Sequence, residues 1–462
     1  MENKNVCKIG LLPLYLRLYD DIMPEVREEQ EQYLEEIYTQ FITKKIEVIK
    51  AKICRISDEF AQTISDFERE KVDCIVTLHL AYSPSLECID ALSTTKLPIV
   101  VLDTTRDKNF NSYSLLMYNH GIHGVQDMCN MLLRKGKQFF IEAGHFELSN
   151  VIERTISHIK GIKIANHFKN SRIGQIGKSF EGMGDFEIDP AILQSFFGIS
   201  IIQVTAEKIA RYMPDKNDSQ ITDIIRKDQL SYDVSCLSES AHISSVRIGV
   251  ALKKWLELNS LDGFTINFNE ITKDSGMPMM PFFEICKLMT AFGYAGEGDV
   301  LTTTLMGAIQ KVLGNCSFTE MFCPDWETNT IFLSHMGEIN FEVVEEKIVL
   351  FENEWPYTDV DSAVFPSACF KNGEAILVNL APQQDNKFAL IVSAIEIVQE
   401  LYRETFGRGV RGWMKTSIPI ADFLRNYSEL GGTHHSVLVY GREMQALKTF
   451  GSVMGWEVIE IK

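Results

Sequence analysis

The strongest constraint on the fold is an alternation of short apolar runs with longer amphipathic segments over the first third of the chain. Residues 7–16 read as a strand, and residues 25–40 as a charged helix with Val26, Tyr33, Ile37 and Phe41 toward one side. A helical stretch over 56–71 leads into the apolar run 72–80, and a helix over 85–92 leads into the run 97–102. Runs that are apolar at nearly every position fit parallel strands, because helices cover both faces of such a sheet. The alternation predicts a doubly wound α/β domain over roughly residues 1–170. Ligands of such sheets collect at the carboxyl ends of the strands, where Thr77-Leu78-His79-Leu80-Ala81-Tyr82-Ser83-Pro84 and Tyr118-Asn119-His120-Gly121-Ile122-His123-Gly124 are expected.

A second α/β domain is read over residues 171–314, with strands at 171–177, 197–204 and 263–268 and helices at 246–258 and 282–292. The last part, 315–462, changes character. Short strand candidates at 331–334, 338–343, 347–352, 362–370, 374–380 and 387–395 are separated by turn signals such as Asn372-Gly373 and Pro382-Gln383. They predict an antiparallel, barrel-like domain, closed by a helix at 442–454 and a strand at 456–461. The fold class is therefore α/β: two doubly wound domains followed by a β-rich one.

The formal charge of −18, from 45 Lys and Arg against 63 Asp and Glu, argues against nucleic acid or an anionic membrane as partner. Arg403, Arg408 and Arg411 form one local basic cluster, read either as a pocket or as a solvated turn between helices. The ten cysteines, at positions 7, 54, 74, 88, 129, 236, 286, 316, 323 and 369, include no C-x-x-C pair. Cys74, inside an apolar run, reads as a small buried hydrophobe. Met1 to Asn5 is charged and runs into a strand, so no secretory leader is expected, and a reducing cytoplasm is the simplest address.

Carboxylates and imidazoles concentrate at four places rich in glycine and turn residues. These are Tyr294-Ala295-Gly296-Glu297-Gly298-Asp299, Phe318-Thr319-Glu320-Met321, Phe332-Leu333-Ser334-His335-Met336-Gly337-Glu338 and Gly431-Gly432-Thr433-His434-His435-Ser436. Two oxygen and two imidazole donors suit a divalent ion such as Mn²⁺, Co²⁺ or Fe²⁺ with positions left open for substrate. Spacing alone does not select that reading, because acidic and His residues are common in loops. Lone histidines such as His167 and His242 support no site at all.

In the wording and order of these segments the chain resembles the L-arabinose/L-fucose isomerase family, and the arabinose branch more closely. The likeness is strongest from Met280-Pro281 through Leu288-Met289 to Gly296-Glu297-Gly298-Asp299, and again at Leu333-Ser334-His335-Met336 and Gly431-Gly432-Thr433-His434-His435. Weaker matches at His79, Ser83-Pro84 and His123-Gly124 extend it over nearly the whole chain. The resemblance implies Glu297, Glu320, His335 and His435 as ligands of Mn²⁺, with Co²⁺ or Fe²⁺ as alternatives, and Glu297 and Glu320 as proton-transfer groups. It places His434 and Asp299 beside the ligands or facing substrate, and His79, His123, Phe180 and Phe268 along a sugar pocket. It also implies a homo-oligomer in which a neighbouring subunit completes the pocket, with His123 as the candidate donor.

The implied activity is aldose–ketose isomerisation of a free or derivatised sugar through an enediol. A non-catalytic sugar-binding relative and a metal-dependent epimerase or hydrolase are the alternatives. Three departures from the arabinose branch leave the particular sugar open. Met321 stands where an acidic residue is usual, Pro13-Leu14-Tyr15-Leu16-Arg17-Leu18-Tyr19 lacks the Gln-His spelling, and the chain is somewhat short.

Overall fold

The computed structural model describes residues 6–399 and 407–462, so Met1 to Asn5 and Arg403 lie outside the described residues. Two compact units result, Met1–Asn166 with Gln445–Val453, and His167–Met444 with Met454–Lys462.

The first unit is built on a five-stranded parallel sheet in the order Glu47–Lys50, Lys8–Leu14, Cys74–His79, Ile99–Asp103, Phe139–Ala143. Alternation within the apolar runs decides which residues meet which helices. Ile9, Leu11, Cys74, Val76, Leu78, Val100 and Leu102 join one core, with Tyr33, Ile37 and Phe41 of the helix Glu25–Thr43. Leu12, Leu14, Ile75, Ile99 and Val101 join the other, with Phe60, Ile64 and Phe67 of the helix Ser57–Arg69. Both faces are covered, as the unbroken apolar runs require. The strands Glu47–Lys50 and Phe139–Ala143 carry no such run, lie at the two sheet edges and are less buried; the sequence reading misses both.

The second unit holds a four-stranded parallel sheet in the order Gly293–Gly296, Gly263–Ile266, Arg172–Ile176, Ser200–Val204. It also holds a ten-stranded mixed sheet, six strands of which close on themselves. Phe388–Val398 pairs with Gly373–Pro382, then come His435–Tyr440, Cys316–Asp325, Thr330–Ser334 and Val410–Thr416, and the last pairs back to Phe388–Val398. Every pairing in this ring is antiparallel, which gives a barrel without edges. The helix Val300–Leu313 packs against strands of both sheets and is buried on all sides from Val300 to Ile309. Such a helix has no polar face to give it a period in the sequence.

Several expected elements are corrected. Residues 338–343 are no strand; Glu338 and Asn340 turn inward to side-chain and backbone partners, and only a short 3₁₀ turn, Phe341–Val343, forms. Phe197 ends the helix Pro190–Phe197, capped by Gly198 at φ 71°, so the strand there starts at Ser200. The helix read from 246 begins at Glu239, because Ser238 caps it through Ala241 N. The helix read over 282–292 stops at Leu288. Arg411 sits buried in the strand Val410–Thr416 and donates to Ser367 Oγ, so Arg411 itself is not part of a solvated turn. Arg408 lies over the Phe351 ring. All ten cysteines are free thiols, and no helix among the described residues is long and apolar enough to cross a membrane.

Candidate metal centre

Three neighbouring barrel strands and one loop converge on a single point. Glu320 lies on Cys316–Asp325, directly opposite His435 on one side and Ser334 on the other. Direct cross-strand pairing brings side chains on one face close together, which sets His435 beside Glu320. His335, just past the end of the strand Thr330–Ser334, brings its Nε2 to 3.5 Å from Glu320 Oε1. The fourth group, Glu297, follows the parallel strand Gly293–Gly296 in a turn where Glu297 itself takes φ 62° and Gly298 φ 81°. A left-handed glutamate is strained, and such strain gathers at functional sites. Gly296 is required for another reason: a Cβ there would sit 2.7 Å from His335 Cε1.

One ligand atom from each of Glu297, Glu320, His335 and His435 lies within 4.8 Å of all the others. His435 Nε2 is 3.1 Å from Glu320 Oε1 and 3.4 Å from Glu297 Oε2, and His335 Nε2 is 3.5 Å from Glu320 Oε1. His435 Nε2 and Glu297 Oε2 are buried without a hydrogen-bond partner. Buried polar atoms in that condition call for a ligand. Two carboxylates and two imidazoles form a donor set that fits a borderline-hard divalent cation, so the residues present suit such an ion.

The far side of each imidazole is also engaged. His435 Nδ1 is 2.9 Å from Asp299 Oδ2, while Asp299 Oδ1 accepts from Thr302 N at the start of Val300–Leu313. His335 Nδ1 is 2.6 Å from Glu338 Oε2, which also accepts from Gly337 N, and Tyr294 OH donates to Glu338 Oε1. These carboxylates fix the tautomer that leaves Nε2 facing the centre, the usual support for a metal-binding histidine. Phe318 packs edge-on against both rings, at 4.8 Å from His335 and 4.9 Å from His435.

The groups of the centre shift one another's proton affinity. Burial opposes a charge on His435, but Asp299, Glu297 and Glu320 hold its pKa well above the ordinary imidazole value. Burial likewise opposes a charge on His335, and Glu338 outweighs it. Burial would raise the Glu297 carboxyl, yet the neighbouring imidazoles His434 and His435 hold it down at about 2.

His434 stands at the rim, with Nε2 3.7 Å from both Glu297 Oε2 and Glu320 Oε1. Its Nδ1 lies 2.6 Å from Asp185 Oδ2, and its backbone N donates to the same oxygen at 3.0 Å. The next residue, Phe186, stacks face to face on His435 at 4.8 Å and 7°. Phe180 N donates to Glu297 O, and the Phe180 ring meets Phe268 at 5.1 Å.

His79 and His123 belong to the first unit. His79 ends the strand Cys74–His79, buried and held neutral by burial, and neither ring nitrogen has a hydrogen-bond partner. His123 is exposed near the start of the helix Ile122–Arg134. Sequence reading places Glu338 in a chemistry-bearing segment without giving it a role, and misses Asp185 and Phe186. Glu338 has a usable signal, three residues after His335 in a loop; Asp185 has none, standing 249 residues from its partner.

Asp299 has no exposed surface, and it serves a helix start and a ligand at once. Asp299→Ala is expected to cost metal-free protein about 3 kcal/mol or more in urea unfolding, because it strands a buried imidazole and removes a cap.

Fold and site together define an α/β protein whose antiparallel barrel, with one loop from a parallel sheet, gathers a buried set of two glutamates and two histidines. Residues 176–315 match the L-arabinose isomerase central domain, and residues 315–457 the L-arabinose isomerase C-terminal domain. The chain is 22% identical over 414 residues to the L-arabinose isomerase of Shouchella clausii, covering 84% of this chain and 81% of that protein. It is 22% identical over 449 residues to the one from Herpetosiphon aurantiacus, covering 91% and 87%. The chain belongs to the L-arabinose/L-fucose isomerase family.

Proposed function

We propose that the protein is an aldose–ketose isomerase of carbohydrate metabolism, dependent on a divalent cation held by Glu297, Glu320, His335 and His435, with Mn²⁺ the expected ion. The observation that carries this reading is the meeting of those four side chains, with two buried donor atoms unpartnered, in a chain that matches L-arabinose isomerase models from 176 to 457.

Isomerisation moves one hydrogen from C2 to C1 of the sugar and one from O2 to O1. The carbon acid is weak, and the bound cation supplies Lewis-acid polarisation of the sugar oxygens. Glu297 and Glu320 are the groups proposed to take the proton from one carbon and return it to the other side of an enediol. General acid–base work of this kind needs two carboxyls in different protonation states. Their surroundings differ: Glu297 is nearly enclosed and flanked by His434 and His435, while Glu320 is 13% exposed and shared between His335, His434 and His435. Asp299 and Glu338 hold the two imidazoles in place, and Phe180 and Phe268 form an apolar wall that keeps water from the reacting carbons. His123 is proposed to reach a neighbouring subunit's pocket in a homo-oligomer, for which its exposed position near a helix start is suited.

A panel of pentoses, hexoses and deoxyhexoses incubated with the protein and Mn²⁺, read as ketose formed, tests the activity. Ketose from at least one aldose is the expected result. An epimer or a hydrolysis product, or unchanged sugar throughout, would instead select an epimerase, a hydrolase or a binding protein.

Cation uptake has its own signature. The neighbouring carboxylates raise the proton affinity of His335 and His435 above that of an ordinary imidazole, and an imidazole must give up any proton on Nε2 to bind a metal. Mn²⁺ added to metal-free protein in weak buffer at neutral pH is therefore expected to release protons. Affinity should rise with pH, since protons compete with the cation for the two imidazoles. A pH-independent dissociation constant between pH 6 and about 8 would contradict this.

A further inference from the structure

Two consecutive residues, Asp185 and Phe186, brace two other consecutive residues, His434 and His435. Phe186 lies flat on the His435 ring, and Asp185 takes both the ring N–H and the backbone N–H of His434 on one oxygen. The His435 side of this clamp is fully buried, so packing and Asp299 already fix that ring. The His434 side is different. Its side chain is 39% exposed and that of Asp185 is 38% exposed, so packing alone does not hold the imidazole. The ring touches Phe186 at 5.5 Å and His435 at 4.3 Å, contacts that set its plane but not which nitrogen points inward. Asp185 supplies that missing choice.

A carboxylate at 2.6 Å keeps a proton on Nδ1 whichever charge the ring carries, which leaves Nε2 for the centre. Nε2 then stands 3.7 Å from an oxygen of each glutamate, beyond hydrogen-bond distance of both. It is in ion-pair reach of both proposed proton carriers without a hydrogen bond to either, and so stands open to a substrate hydroxyl. We propose that Asp185 is a positioning residue that fixes His434 with Nε2 turned to the centre, where it holds a hydroxyl of the sugar beside Glu297 and Glu320. The role at the sugar rests on the isomerase reading; the fixing of the ring does not.

The test combines kinetics with a direct look at the ring. Asp185→Ala is expected to lower kcat by roughly 10–100-fold, the range for removing an outer partner of a site histidine. Its Mn²⁺ dissociation constant should stay within about threefold of wild type, because His434 is outside the donor set. Asp185→Asn keeps an oxygen able to accept both N–H groups of His434 and should retain more turnover than Asp185→Ala. The double variant Asp185→Ala with His434→Gln should be no slower than His434→Gln alone, because both changes remove one function. In metal-free wild-type protein with ¹⁵N-labelled histidine, His434 should show a proton on Nδ1 that Asp185→Ala loses.

Turnover within about twofold of wild type for Asp185→Ala, or losses that multiply in the double variant, would overturn the proposal. So would a bare Nδ1 on His434 in the wild-type protein, a reading that needs no variant to fold. Should wild-type protein make no ketose from any aldose, the isomerase reading fails on its own, and the nitrogen spectrum still decides whether Asp185 sets the ring.

Discussion

Glu297→Gln and Glu320→Gln are each expected to lower ketose formation by at least ~10²–10⁴-fold, the loss typical of a missing general acid or base. Each change also removes an anionic donor from the centre, so two functions fail together. The neutral amide keeps the size of the side chain and costs the fold little. Saturating Mn²⁺ should refill a weakened site but should not restore turnover, because an amide cannot carry the proton. Near-wild-type activity in either folded variant would remove the proposed chemistry. Recovery of activity at high Mn²⁺ would reduce that glutamate to a metal donor alone.

The second large effect concerns removal of the cation. In the metal-free state the centre confines Glu297, Glu320, His335 and His435 with two buried donor atoms unpartnered. A cation that binds only the folded arrangement stabilises it by RT ln(1 + [L]/Kd), or ~2.7 kcal/mol when free ion exceeds Kd a hundredfold. For a unit of this size that corresponds to a melting shift of roughly 5 °C. A chelator should therefore abolish turnover and lower the melting temperature together, and added Mn²⁺ should reverse both. Lost activity with an unchanged melting curve would mean that the ion serves chemistry without bracing the barrel strands and the Glu297 turn.

The parts of this arrangement that the sequence displays are those coded locally. The apolar runs at 74–79 and 99–103 announce buried parallel strands because each side chain has a covered face to enter. Glu297, Glu320, His335 and His435 stand out because each sits in a short, glycine-marked or turn-marked segment, and because the segments fall in one collinear order.

What the sequence hides depends on partners far along the chain. Asp185 and Phe186 are ordinary loop residues until the fold sets them on His434 and His435. Glu338 reads as the start of a strand because its neighbours are apolar, but its carboxylate is spent on His335 and Gly337. The helix Val300–Leu313 has no periodic signal because both sheets cover it. Arg411 reads as part of a solvated turn because an arginine is usually outside, whereas here its guanidinium is buried beside Ser367 and Gly409 O.

The proposed chemistry needs one ion at one place. Crystals of the protein grown with Mn²⁺ and measured for anomalous scattering should show a single strong peak among Glu297 Oε2, Glu320 Oε1, His335 Nε2 and His435 Nε2. A peak elsewhere in the chain, with those four side chains still gathered and empty between them, would contradict it.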